Sequence, residues 1–177
     1  MEKSAQGLYL PPEDKLHMGC GLDIREGWVN VDLVQHEGVD LACDISQGLP
    51  FETSVFTRVL AIDLLEHVPQ ERCIHVMNEI HRVLQPGGVL ELHVPDAPGI
   101  TAFQDPTHVS YWNEETLTYY YEGDRHRERF GVHYGITACF RPVRVRRRRL
   151  FWQRFFSTLD PRWLSNFVLD AELQAVK

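Results

Sequence analysis

Hydrophobic residues in this chain fall mostly into short runs of strand character, cut by glycine and proline, and take a clear helical period once. Lys15-Leu16-His17-Met18 is a short apolar stretch that runs into the turn Gly19-Cys20-Gly21. Trp28-Val29-Asn30-Val31-Asp32-Leu33 alternates and is rich in β-branched residues, and Gly38 to Asp44 holds a shorter stretch of the same kind. Arg58-Val59-Leu60-Ala61-Ile62 is apolar without a break after its arginine, the pattern of a strand covered on both faces. Between Pro69 and Gln85 the period changes: Ile74, Met77, Ile80, Val83 and Leu84 share a helical spacing, and Pro86-Gly87-Gly88 stops the helix. Gly88 to Val94 predicts a strand ended by Pro95. Asn113-Glu114-Glu115-Thr116 predicts a second helix, with Asn113 as N-cap and acids in the first turn. Beyond Gly131 the pattern is β-like: Ile136 to Phe140, then Val143 and Val145 among arginines, and a closing strand from Ala171 to Val176. No internal repeat is visible.

Strands alternating with helices predict an α/β fold with a mostly parallel sheet, the arginine-rich tail adding antiparallel strands at an edge, where charge is tolerated best. Ligands of such sheets gather at the carboxyl ends of the strands. Gly19-Cys20-Gly21 follows the first strand and lets a ligand approach the backbone. Asp32 follows the second and suits paired ribose hydroxyls. Asp44 with Ile45 follows the third, and Asp63 the fourth. Three carboxylates and a glycine turn on one edge describe a nucleoside site. Ile24 stands where a dinucleotide fingerprint needs its third glycine, and there is no Gly-Lys-Ser/Thr phosphate loop. An acidic edge favours a cationic ligand over a pyrophosphate.

Leu16 to Gly21, Val29-Asn30-Val31-Asp32, Leu49-Pro50-Phe51, Leu65-Glu66-His67-Val68 and Arg82 to Gly88 resemble, in order and spacing, the class I S-adenosylmethionine-dependent methyltransferases, and most closely the methyltransferase-11-like group. The resemblance covers residues 15–121. It implies a Rossmann-like three-layer sandwich whose seven-stranded sheet ends in an antiparallel hairpin. It implies S-adenosyl-L-methionine as cofactor and S-adenosyl-L-homocysteine as product, with no metal required. Gly19 and Gly21 would then lie against the methionyl part, Asp32 at the ribose hydroxyls, Asp44 with Ile45 at the adenine, and Asp63 beside the methionyl or sulfonium region, with His17, Cys20, Leu33 and Leu64 also facing the cofactor. Two departures stand out. His17 occupies a position that is usually acidic in the group, which weakens the grip on the ligand's ammonium. Ten residues between Gly21 and Asp32 are too few for a helical crossover, so a turn or loop replaces the first helix, and the Met1–Lys15 segment is a candidate cover for the exposed cofactor.

For the acceptor side, residues 95–135 are the candidate segment. Asp105-Pro106-Thr107-His108 follows the fifth strand, where His108 with Asp105 is placed to take a proton from a hydroxyl or amine. His67 is a second candidate base, or else a structural cap. Tyr111 and Trp112 read as core, and Tyr119-Tyr120-Tyr121 as helix packing.

Composition narrows the setting. The 177 residues, 44% hydrophobic and 24% charged, suit a single domain, 1–177, whose last part, 136–177, forms the C-terminal strands. Four scattered cysteines without a Cys-x-x-Cys pair offer no zinc site and fit a reducing cytoplasm. No apolar run reaches the roughly 18 residues of a membrane span, and Met1 to Lys15 lacks a signal-peptide pattern. The net charge of −7 conceals a division: residues 1–124 hold 6 Lys/Arg against 21 Asp/Glu, and residues 125–177 hold 12 against 4. Arg141 to Arg149 reads first as an exposed edge strand balancing an acidic body. Its alternatives are a contact for RNA, or for an anionic small-molecule acceptor. With no room for a separate substrate domain, specificity falls to residues 95–135, to a second copy or to a partner chain. A noncatalytic cofactor-binding scaffold and an RNA methyltransferase are the rival functions.

Overall fold

The computed structural model describes residues 2–149 and 167–177; the rest of the C-terminal stretch, 150–166, lies outside the described residues. Its elements are β1 (Glu2–Lys3), β2 (Tyr9–Leu10), β3 (Lys15–Met18), β4 (Val29–Asp32), β5 (Leu41–Ala42), β6 (Phe56–Ile62), α1 (Cys73–Val83), β7 (Leu84–Pro95), α2 (Thr101–Gln104), α3 (Glu114–Thr118), α4 (Arg125–Tyr134), β8 (Phe140–Arg149) and β9 (Phe167–Ala175). Seven strands form one sheet in the order β5-β4-β3-β6-β7-β9-β8, and β1 with β2 makes a separate antiparallel pair. The strands from β5 to β7 are parallel; β9 runs antiparallel to β7, and β8 antiparallel to β9 at the edge. The order reverses direction at β3, so the carboxyl ends of β3 and its neighbours form the switch point at which such sheets hold ligands. The expected fold class is found.

One face of this sheet makes the core. Leu16, Met18, Val29, Val31, Val59, Ala61, Leu90, Leu92, Leu169, Ala171 and Leu173 pack with Val76, Met77, Ile80 and Val83 of α1 and with Trp112, Leu117 and Tyr120. Alternate residues of β7 and β9 point the other way, as a period of two requires. Glu91, His93, Asp170 and Glu172 line a shallow basin there with Arg144, Arg146 and Arg148. Connections 19–28 and 33–40 are loops, both shorter than the dozen residues a helical crossover takes. Among the described residues no helix packs against that part of the second face. Trp28 of the first loop covers it instead, its indole lying edge-on to the His17 imidazole, with Lys15 over its ring.

Two motifs of the sequence turn out to hold elements together. Arg82, near the end of α1, donates to the Leu49 and Phe51 carbonyls, both at 2.8 Å, and pairs with Glu79, whose other contact is the Leu49 amide at 2.9 Å. Asn113 caps α3 by accepting from the Thr116 amide. The N-terminal segment corrects one expectation. Tyr9 exchanges hydrogen bonds with Pro50 and Glu52 and packs on Phe51, whose ring lies against Phe56 at the start of β6. That is the amino end of the strands, so the segment cannot cover the cofactor edge: β3 starts at Lys15, and the chain before it lies where the strand begins. Ile136 to Cys139, expected as strand, is instead an irregular lead into β8.

Candidate functional site

A cleft of about 450 Å³ opens at the carboxyl ends of β3, β4, β5 and β6. Gly19, Asp32, Leu33, Asp44, Ile45, Asp63 and Leu64 line it, seven of the ten residues read from the sequence as cofactor-facing, together with His67. Gly19 has φ +63°, and a Cβ there would stand 2.6 Å from Leu64 Cδ1, so the turn needs glycine for its backbone and for the close approach. Asp32, at the end of β4, holds the loops on both sides: its two carboxylate oxygens accept from the Gly21 amide at 2.9 Å and the Val34 amide at 3.0 Å. Burial pushes this carboxyl up, but the Val34, Gly21 and Leu33 amides outweigh it and hold it below its ordinary range. It stays ionised with lone pairs to spare. Asp44 caps a short 3₁₀ turn by accepting from the Ser46 amide, and the Ser46 side chain and amide lower its pKa.

Three predicted residues do not reach the cleft. His17 is 2% exposed on the far side of the sheet. Its pKa is lowered, first by burial and then by the Arg25 charge. Cys20 is buried, with its thiol raised to about 11 by burial and the Asp32 charge, and Gly21 serves through its amide. Cys43, Ser46, Val68 and Pro69, which the sequence reading left out, complete the wall. Leu22, Leu33 and Val34 stand exposed in the two loops beside it, as the missing helices leave them.

A second cleft, about 340 Å³, adjoins the first and shares Asp63 and His67 with it. His93, Thr101, Gln104, Asp105, His108 and Glu66 are among its other walls. Asp63 sits at the end of β6 in the left-handed region, φ +47°, its amide donating to the His93 carbonyl at 3.0 Å. A non-glycine residue held there is strained backbone at the junction of two cavities. Asp105 turns back on itself, accepting from the Thr107 amide at 2.8 Å and hydroxyl at 2.6 Å. These two bonds lower its pKa. Thr107 in turn faces His67 Nδ1 through its carbonyl at 3.3 Å and its hydroxyl at 3.2 Å. His108 Nδ1 lies 3.2 Å from the Ala102 carbonyl. The rings of His67 and His108 meet edge to face at 4.9 Å between centroids. All three predicted catalytic residues thus share one cleft, and His67 is exposed rather than capping a helix. Trp112 is core, its indole donating to Ser110 Oγ, whereas Tyr111 is half exposed against Phe103.

Strand order, glycine turn and acidic strand ends together define the class I S-adenosylmethionine-dependent methyltransferase fold. Residues 9–92, just under half of the chain, match the family model for a methyltransferase domain, Methyltransf_11, the group that its motifs resemble. Solved structures agree on the fold. A 1,6-didemethyltoxoflavin-N1-methyltransferase from Burkholderia thailandensis, with 1,6-didemethyltoxoflavin and S-adenosylhomocysteine bound, superposes with a TM-score of 0.58 at 17% identity over 92% of this chain and 71% of its own. A SAM-dependent methyltransferase from Archaeoglobus fulgidus gives 0.60 at 14% over 94% and 88%. A 16S rRNA adenine methyltransferase from Catenulisporales acidiphilia, solved with SAM, gives 0.54 at 14% over 95% and 88%. No protein among the curated ones matches the sequence. Among the described residues no helix is long and apolar enough to cross a membrane.

Proposed function

We propose that the protein transfers a methyl group from S-adenosylmethionine to an oxygen, nitrogen or carbon nucleophile of a small or medium-sized acceptor. The observation that carries this reading is the meeting of the two clefts at Asp63 and His67. The residues present fit the cofactor. Gly19, a glycine in the cleft wall, suits a ligand pressed on the backbone, and the ionised Asp32 suits ribose hydroxyls. Asp44 and Ile45 would flank the adenine, and Asp63 and Leu64 the sulfur end. When bound, S-adenosylmethionine supplies an electrophilic methyl on a sulfonium.

The chain's own contribution is to hold an acceptor in line with that methyl and away from water. His108 and His67 each turn Nδ1 to a backbone carbonyl, which leaves Nε2 as an acceptor for the nucleophile's proton. Asp105 fixes Thr107 and, through it, His67.

An RNA acceptor is the second reading, favoured by the arginine-rich β8. Against it, four of the strand's arginines pair with the protein's own carboxylates: Arg144 with Glu172, Arg147 with Asp96, Arg148 with Asp170 and Arg141 with Glu122. A co-crystal with S-adenosylhomocysteine tests the proposal. The adenosine should lie between Asp32 and Ile45, with the sulfur at the Asp63–His67 junction. A sulfur facing away from the second cleft would overturn it.

A further inference from the structure

The second cleft holds more than a general base needs. Glu66 is 2% exposed, and its Oε2 has no hydrogen-bond partner. Burying an unpaired carboxylate is costly, and the cost is relieved either by a proton, toward which burial pushes Glu66, or by a bound cation. Its Oε1 lies 4.0 Å from His108 Nε2. One ligand atom each from Glu66, His67 and His108 can be chosen so that all lie within 4.8 Å of one another. Both imidazoles are oriented as metal-bound histidines are, with Nδ1 on a carbonyl and Nε2 left for coordination. His67 is steadied further by the Thr107 hydroxyl, itself held by the Asp105 carboxylate.

We propose that Glu66, His67 and His108 form a binding site for a first-row divalent transition metal, with its open positions facing the acceptor cleft. Two imidazoles and one carboxylate suit zinc and its neighbours better than magnesium or calcium, which prefer an all-oxygen shell. Ligand atoms around a tetrahedral ion with bonds of about 2.0–2.2 Å stand roughly 3.3–3.5 Å apart, so the three groups close in by about 1 Å on binding. The exposed His67 supplies most of that movement. The site rests on the methyl-transfer reading only for its use: the metal would receive the acceptor's hydroxyl oxygen and lower its pKa, so that its proton leaves to water and the oxygen takes the methyl as the sulfonium's S–C bond breaks to leave a thioether, both histidines then being ligands rather than bases. The acceptor class this selects is one with an ionisable hydroxyl. Metal binding itself needs no methyl donor.

The test is titration of the full-length protein with Co²⁺, followed by visible absorption, and with Zn²⁺, followed by calorimetry, each with and without S-adenosylhomocysteine. One equivalent should bind, giving the d–d bands of a low-coordinate nitrogen–oxygen site without a thiolate charge-transfer band. His67→Ala, an exposed position that leaves the core untouched, and Glu66→Gln, which keeps the side chain's shape, should each weaken binding tenfold or more. Glu66→Gln, which lies outside the cofactor cleft, should retain wild-type affinity for S-adenosylhomocysteine, and His75→Ala should behave as wild type. The site would be overturned by no stoichiometric binding, or by binding that survives both His67→Ala and Glu66→Gln. Loss of S-adenosylhomocysteine binding in wild type would instead refute the cofactor reading and leave the metal result standing by itself.

Discussion

Gly19 and Glu66 show how much a single side chain settles at this sheet edge, one by its absence and one by its burial. At Gly19 the chain needs φ +63° and passes so close to Leu64 that a methyl group would collide. A left-handed conformation costs an L-residue about 1–2 kcal/mol. Gly19→Ala should therefore lower stability by more than that amount in urea denaturation, because Leu64 must also give way, while Gly123→Ala, at φ +70° with open space around it, should show the conformational cost alone. If the two variants were equally stable, contact with Leu64 would contribute nothing. Glu66 was legible as part of a motif, yet nothing in the order of residues said that its carboxylate is buried and unpartnered. Burial arises from Ser110, whose amide and that of Val109 donate to the Glu66 carbonyl and bring residues 107–110 over it. That contact joins segments more than forty positions apart, which periodicity cannot see.

At the scale of elements, the motif from Arg82 to Gly88 is a structural joint. Arg82 satisfies the Leu49 and Phe51 carbonyls and pairs with Glu79, so α1, the 49–53 segment and the start of β7 are held as one unit. Arg82→Met should cost about 2–4 kcal/mol, because it strands two carbonyls and a half-buried carboxylate. Burial raises the Glu79 carboxyl, but Arg82 and the Leu49 amide outweigh it and its pKa is lowered. A lowered carboxyl pKa gives stability that is present above the unfolded value, about 4.3, and fades as pH falls through the folded one. Acid unfolding of the wild type should steepen below about pH 4.3, and Arg82→Met should flatten that dependence; parallel curves would contradict it.

Most elements could be read from the sequence because hydrophobic period and turn residues coincide, as in α1 and β6. The loop replacing the first helix was legible from spacing alone, since a parallel crossover has a minimum length. The irregular Ile136–Cys139 was not: its β-like residues are drawn off by Asn78 of α1, whose side-chain oxygen accepts from the Thr137 and Ala138 amides at 3.0 Å. The covering role expected of the N-terminus failed for the same kind of reason, a contact between Tyr9 and Phe51 that only the fold brings about.

Across the whole molecule the division of charge resolves into an internal balance. Carboxylates of β7 and β9 meet arginines of β6 and β8 on the second face, Arg58 with Glu91, Arg144 with Glu172 and Arg148 with Asp170, and His93 of β7 hydrogen-bonds Asp170 as well. The ladder keeps an edge strand solvated and matched to its neighbours, which discourages pairing with other sheets. Arginines used this way are poor phosphate contacts. Fluorescence anisotropy with a single-stranded RNA should show weak binding that Arg146→Ala/Arg148→Ala leaves unchanged; a steep loss of affinity with salt, relieved in the double variant, would restore the RNA reading. The acidic half has a different use, since Asp32, Asp44 and Asp63 gather at one cleft beneath the glycine turn.

The central claim, that this cleft holds S-adenosylmethionine, is met most directly by calorimetric titration of the wild type and of Asp32→Ala with S-adenosylhomocysteine. Saturable one-to-one binding that the substitution weakens at least tenfold is the predicted result. No detectable binding at millimolar ligand, or equal affinity in the two proteins, would contradict it.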